Sequence, residues 1–141
     1  MTCDFRAVLT RHAAVVDDTA LDPRAFVTQH QWRSCAADLH AGGCRFFDIT
    51  AIDRDQAVEV ILYLCDSPGT HFSVRVLVRN DHMHLDSLSG VFPPAGWGER
   101  EVYDLFGVIF DGHPDMTRIL QPDDATTFPL RRSFELEEHP W

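Results

Sequence analysis

Glu99, Arg100, Glu101 and Asp104 fall within six consecutive positions, and His113 follows nine residues after Asp104. These residue types can do three kinds of chemistry. Glu101 and Asp104 are three apart, so on a helix they share a face. Two such carboxylates can act as acid and base when their surroundings separate their proton affinities. Arg100 and Asp104 are four apart, close enough to pair. His113 with a carboxylate could bind a metal, but it has no second ligand at a usual spacing. Its setting, Asp111-Gly112-His113-Pro114-Asp115, reads better as a turn whose aspartate caps a following short helix. The same stretch carries Tyr103, Leu105, Phe106, Val108, Ile109 and Phe110. A solvated helix face does not need that many bulky apolar residues. Charges set among aromatics point instead to a network desolvated at an interface, where Arg100 neutralises Glu101 and Asp104.

Other chemistry has less support. His82 and His84 would share one face of a strand, but no cysteine or third histidine is near them in sequence. There is no G-x-S-x-G elbow and no glycine-rich loop after a strand to cradle phosphate. No catalytic residue and no metal ligand is therefore assigned. The rival reading is a free-standing small enzyme that uses Glu101, Asp104 and His113 as acid, base or metal ligands.

The elements that must position these residues alternate in type. Ala13 to Val16 could form a strand. Asp22 and Pro23 are a helix start, and Ala25, Thr28, Trp32, Cys35, Ala36 and Leu39 recur on one helical face up to Gly42-Gly43. Cys44–Ile52, Ala57–Cys65 and His71–Arg79 read as three strands, joined by Asp53-Arg54-Asp55-Gln56 and Asp66-Ser67-Pro68-Gly69. In the third strand Phe72, Val74, Val76 and Val78 alternate with His71, Ser73, Arg75 and Arg79, with Leu77 among the latter, so one face of an antiparallel meander should be buried. A loop with some strand character leads to Pro93-Pro94. A second helix runs from Trp97 to Phe106 and ends at Gly107. The expected fold is α+β, an antiparallel meander with helices packed on one face and an extended irregular C-terminal segment. Residues 1–110 form the domain. Residues 111–141, punctuated by Pro114, Pro122, Pro129 and Pro140, form a tail suited to lying on a partner.

Composition narrows the function. The chain of 141 residues has a net charge of -10, and all its basic residues are arginine. An acidic chain without a basic stripe is a poor ligand for nucleic acid or anionic lipid. Cys3, Cys35, Cys44 and Cys65 are too scattered for the usual iron–sulfur spacings and read as small buried hydrophobes. No apolar run approaches the ~20 residues that cross a bilayer, and no secretory signal opens the sequence. A cytosolic protein, or one held at a membrane by other proteins, is expected.

The run Trp97-Gly98-Glu99-Arg100-Glu101-Val102-Tyr103-Asp104-Leu105-Phe106-Gly107, then Phe110-Asp111-Gly112-His113-Pro114-Asp115 and Arg118-Ile119-Leu120, resembles one family closely. It is similar to the thirty-kilodalton subunit of respiratory complex I, the bacterial NADH–quinone oxidoreductase. Pro129-Leu130-Arg131-Arg132 resembles that family's P-L-R-K. Thr117 stands where the family usually has a basic residue, and Ser133 where it has aspartate.

The resemblance implies a non-catalytic subunit of the peripheral arm of a complex I-type NADH:quinone oxidoreductase. Such an assembly couples electron transfer to ion translocation. The equivalent subunit of a membrane-bound energy-converting [NiFe] hydrogenase is the alternative. It implies no cofactor in this chain, with iron–sulfur clusters and a quinone or nickel–iron centre in the partners. Those partners are the large quinone-site or nickel–iron-type subunit and the small iron–sulfur subunit. The place implied is the cytoplasmic face of the cell membrane, with membrane contact only through partners. Trp97, Glu99, Arg100, Glu101, Asp104, Phe106, Gly107, His113, Pro114, Asp115 and Arg118 then form the structural and docking motif. Phe106, Ile109 and Phe110 would supply apolar contacts at the interface, and the tail with Arg131 and Arg132 would drape over the partner.

Overall fold

The computed structural model describes residues 4–12, 15–19 and 21–136. Helix α1 (Phe5–Arg11) is capped by Asp4, whose side chain accepts the Ala7 N–H. Strands β1 (Val15–Asp17) and β2 (Arg24–Phe26) precede helix α2 (Gln29–Ala41). Strands β3 (Arg45–Asp53), β4 (Ala57–Cys65) and β5 (His71–Arg79) form the meander. Strand β6 (His84–Asp86), helix α3 (Ala95–Phe106) and strand β7 (Ile109–Asp111) complete the regular elements.

The main sheet has the order β1-β2-β5-β4-β3. The meander is antiparallel, with Leu62 opposite both Ile49 and Val74. Strand β2 departs from expectation. The segment after Asp22-Pro23 does not start a helix but pairs parallel to β5, with Ala25 opposite Val74. Its backbone is satisfied there, as the Ser73 N–H donates to the Pro23 carbonyl and the Val27 N–H to that of Arg75. Pairing with a distant strand thus overrides local helix-start chemistry. The helix begins at Gln29 after an extended Thr28, and Trp32, Cys35, Ala36 and Leu39 form its buried face as expected. Of the strand expected over Ala13 to Val16, Ala13 and Ala14 lie outside the described residues, while Val15 opens β1.

One face of the sheet carries the core. Ile49, Val60, Leu62, Phe72 and Val74 join Leu9 of α1, Trp32 and Leu39 of α2, and Val102 and Phe106 of α3 in one cluster. Helix α3 comes very close to β3. A Cβ placed on Gly98 would lie 2.3 Å from the Ile49 Cγ2 and 3.1 Å from its carbonyl oxygen. Gly98 therefore sets the helix–sheet distance that positions the motif.

The opposite face is less open than strand alternation suggests. Arg75 and Ser73 are buried there, the Arg75 guanidinium donating to Glu59 at 2.9 Å and to the Ser73 hydroxyl at 3.1 Å. Arg54 also donates to Glu59, at 2.7 Å. Burial alone would raise the Glu59 carboxyl, but bonds from Arg75 and Arg54 hold it below its ordinary value. The turns form as read. Asp66 accepts the N–H groups of Gly69 and Thr70, and Gly69 takes a positive φ of 100°. Among the described residues no helix is long and apolar enough to cross a membrane.

Candidate functional site

Helix α3 ends as its sequence requires. Gly107 adopts a left-handed φ of 86°, and its N–H donates to the Tyr103 carbonyl. A Cβ there would also lie 3.1 Å from the Phe128 ring. The helix carries three acidic side chains with different fates.

Glu99 is fully buried. It accepts from the Ser87 hydroxyl at 2.7 Å and from the Leu88 N–H, which ties the loop before the helix to the helix itself. Burial pushes its carboxyl above the ordinary value, against these bonds and nearby His113. Glu101 is exposed.

Asp104 is also fully buried, and five donors converge on it. One oxygen accepts the backbone N–H groups of Ile119, Leu120 and Gln121 at 3.2, 2.7 and 2.9 Å. The other accepts from the Arg118 guanidinium and the Gln121 amide, each at 2.9 Å. Burial acts to raise this carboxyl, but the Gln121 and Leu120 N–H groups, Arg118 and the Gln121 amide hold it well below the usual carboxylate range. The same Arg118 nitrogen donates to the Asp104 and Thr127 carbonyls. Its guanidinium lies over the Phe128 ring.

This corrects the expected pairing of Arg100 with Glu101 and Asp104. Arg100 instead donates to the Thr117 carbonyl and hydroxyl and to the Arg118 carbonyl, at 3.0–3.1 Å. Helical spacing permits the Arg100–Asp104 pair, but Asp104 faces inward, where Arg118 arrives from the tail. Thr117 is the residue whose hydroxyl Arg100 uses.

His113 does not precede a helix. Its Nδ1 accepts the Asp115 N–H and its Nε2 faces the Gly96 carbonyl, both at 2.9 Å. With Nδ1 accepting, the ring proton sits on Nε2, which donates to Gly96. Gly112, with φ of 84°, makes the turn before it.

The tail lies on the chain's own body as far as it is described. The Leu130 N–H donates to the Leu105 carbonyl. The Arg132 N–H donates to Asp53 at 2.7 Å, and the Arg131 guanidinium reaches the same carboxylate at 3.2 Å. Arg131 also donates to Asn80 at 2.8 Å. Arg131 is therefore turned into its own fold rather than outward, whereas the Arg132 side chain is exposed. Phe106 and Phe110 belong to the chain's own core, so they are not free for an interface; Ile109 is exposed. Trp97 is 65% exposed, with the Arg100 guanidinium 5.2 Å from its ring centre. Pro114 and Asp115 are exposed beside it.

Sequence reasoning missed Asp53, Ser87 and Gln121. Asp53 looked like a turn residue. Ser87 and Gln121 had no signal beyond being polar neighbours of apolar runs. His84 pairs with Asp111 at 2.9 Å and its ring stacks with that of His82. Among the described residues no three histidine, cysteine or acidic side chains are placed to hold a metal ion.

What the arrangement does is mechanical. Buried carboxylates on α3 and β3 accept backbone N–H groups from irregular segments and fasten them to the sheet domain.

Residues 25–140 match the family described as the respiratory-chain NADH dehydrogenase 30 kDa subunit. A NADH-quinone oxidoreductase subunit from Moorella thermoacetica is 42% identical over 93 residues, which is 64% of this chain and 63% of that protein. The chain thus spans less than two thirds of the length of that relative, and 22% and 47% of its counterparts from Salinispora arenicola and a Jannaschia species. A solved trypsin-resistant fragment of Nqo5 is similar with a TM-score of 0.70 and 26% identity, covering 78% of this chain and 95% of the fragment. A chain of the membrane-bound sulfane sulfur reductase, an archaeal respiratory membrane complex, has a TM-score of 0.80 at 23% identity, over 93% of this chain and 83% of that one. That last likeness is one of fold alone. With the motif's charges accounted for and four fifths of its length matched, this chain belongs to the family of the respiratory-chain NADH dehydrogenase 30 kDa subunit.

Proposed function

We propose that this chain is a non-catalytic structural subunit of the peripheral arm of a complex I-type NADH:quinone oxidoreductase. It holds no redox cofactor. Iron–sulfur clusters and the quinone belong to its partners, the large quinone-site subunit and the small iron–sulfur subunit. It sits at the cytoplasmic face of the cell membrane through those partners.

One observation carries this reading: the buried and half-buried ionisable side chains of the motif are spent on the chain's own backbone. Glu99 holds Leu88, Arg100 holds Thr117 and Arg118, and Asp104 holds Ile119 to Gln121. Both nitrogens of His113 are engaged. A general acid or base must present a lone pair or proton to substrate, and neither Asp104 nor His113 has one to spare. That weakens the free-standing enzyme.

The test is affinity recovery of the tagged chain from native membranes in mild detergent, with partners identified by mass spectrometry. The reading expects the large quinone-site subunit together with NADH-oxidising partners. Nickel–iron hydrogenase subunits in their place would keep the structural role and change the reaction. A chain recovered alone from the soluble fraction would overturn both.

A further inference from the structure

Trp97 projects from the first turns of α3, while Val102 and Phe106 of the same helix are buried. Beside it runs a groove of about 500 Å³, with Gly90, Pro93, Gly96 and Pro114 as its apolar walls and polar Ser89 and His113 also lining it. These walls carry little side chain, and the two prolines offer no N–H. The walls are also fixed. Glu99 anchors the loop at Ser87 and Leu88, and His113 bridges Gly96 to Asp115. Trp97 is steadied by Arg100, itself held by three hydrogen bonds to the tail. A rigid exposed tryptophan over a preformed apolar groove loses little entropy on contact, which is the setting of binding hot spots.

The rim is acidic. Asp115 keeps 63% of its side chain exposed, and Glu101, one helical turn beyond Trp97, is exposed as well. Arg100, the cation at the groove, gives its hydrogen bonds to the tail carbonyls and reaches Asp115 only at 4.0 Å, which leaves most of that carboxylate open to a partner. A second copy of this chain, with its net charge of -10, would bring acid to acid.

We propose that this groove docks an extended segment of another subunit, one that lays a proline or aliphatic side chain against Trp97 and sets an adjacent lysine or arginine against Asp115 and Glu101. The inference rests on the assembly role proposed above and adds where the contact lies and what chemistry it takes. Aromatic and proline-lined grooves favour such extended segments because little backbone freedom is lost on binding.

The experiment places the photo-cross-linker p-benzoylphenylalanine at position 97 of the tagged full chain in its native host. Membranes are irradiated, the cross-linked peptide is sequenced, and incorporation of the chain is followed separately on native gels. The expected result is one site in a different subunit, at or beside a proline or aliphatic residue with a lysine or arginine next to it. Trp97→Ser should lower the chain's affinity for that subunit roughly thirty-fold, the equivalent of about 2 kcal/mol. Asp115→Asn should weaken it less, with a shallower salt dependence. An incorporated chain that cross-links to nothing, to itself, to a second copy or to an acidic segment overturns this inference alone. A chain that never enters an assembly removes the functional reading and this one with it.

Discussion

The Oδ2 atom of Asp104 lies 2.7 Å from the amide nitrogen of Leu120, sixteen residues further along the chain. The same oxygen takes the N–H groups on either side, from Ile119 and Gln121. A buried backbone N–H without a partner is costly. Three in a row, in a segment without regular secondary structure, are satisfied by one carboxylate. The irregular tail is thus tethered to α3 by a side chain doing what a sheet or helix would otherwise do.

Asp104→Asn keeps the size of that side chain but removes its charge and turns an acceptor into a donor. An amide nitrogen would then face either the Arg118 guanidinium and the Gln121 side-chain amide, or the three backbone N–H groups of Ile119 to Gln121. The expected cost is about 3–5 kcal/mol, the usual penalty for stranding a buried charge. Urea unfolding measures it, and limited proteolysis should show residues 112–136 becoming cleavable first.

The two buried carboxylates of α3 should give opposite pH dependences. Asp104 has a folded value below its ordinary 3.8, so its contribution is present above that pH and is lost as pH falls through the lowered value. Glu99 is raised above its ordinary 4.5, so the folded state binds its proton more tightly, and stability falls as pH rises from 4.5 to the raised value. Denaturation midpoints from about pH 1.5 to 8 check this against two variants. Glu99→Gln should gain on the wild type as pH rises, and Asp104→Asn should lose less against it as pH falls.

Gly98→Ala should push α3 away from β3, because the new methyl would meet Ile49 at 2.3 Å. Overpacking of this kind costs about 1–3 kcal/mol. Thermal unfolding reads the loss. The Asp104 clasp, further along the same helix, should loosen with it.

Arg75→Ala leaves Glu59 with only Arg54, whose side chain is half exposed. A loss of about 3 kcal/mol is expected for removing one member of a buried pair. Arg79→Ala, at the exposed end of the same strand, is the control and should change stability by less than about 0.5 kcal/mol. Chemical denaturation of the two proteins side by side makes the comparison.

Much of the fold was legible because the informative signals were local. The Asp66-Ser67-Pro68-Gly69 turn and the alternation from His71 to Arg79 fix one strand by their own chemistry. Gly107 marks the end of α3 in the same way. Pro23 to Phe26 misled because its helix-start chemistry is also local, whereas β5, the partner that overrides it, lies some fifty residues away. Alternation put Ser73 and Arg75 outside, yet Arg75 pairs with Glu59 across the strands and both become buried.

The motif was legible as residues but not as pairs. Charge and spacing allow Asp104 to meet Arg100, and nothing local reveals that Arg118 takes its place. Aromatic content likewise could not tell the chain's own core from a docking face. Phe106 and Phe110 went to the first, and Trp97 stayed exposed.

The most direct test is amide hydrogen exchange at Ile119, Leu120 and Gln121, in the wild type and in Asp104→Asn. A clasped tail predicts that these three amides exchange as slowly as those inside α3, despite lying outside any helix or strand, and that protection is lost in the variant while α3 stays protected. Exchange in the wild type at the rate of an open loop would contradict the clasp, and with it the account of what the buried charges of this motif are for.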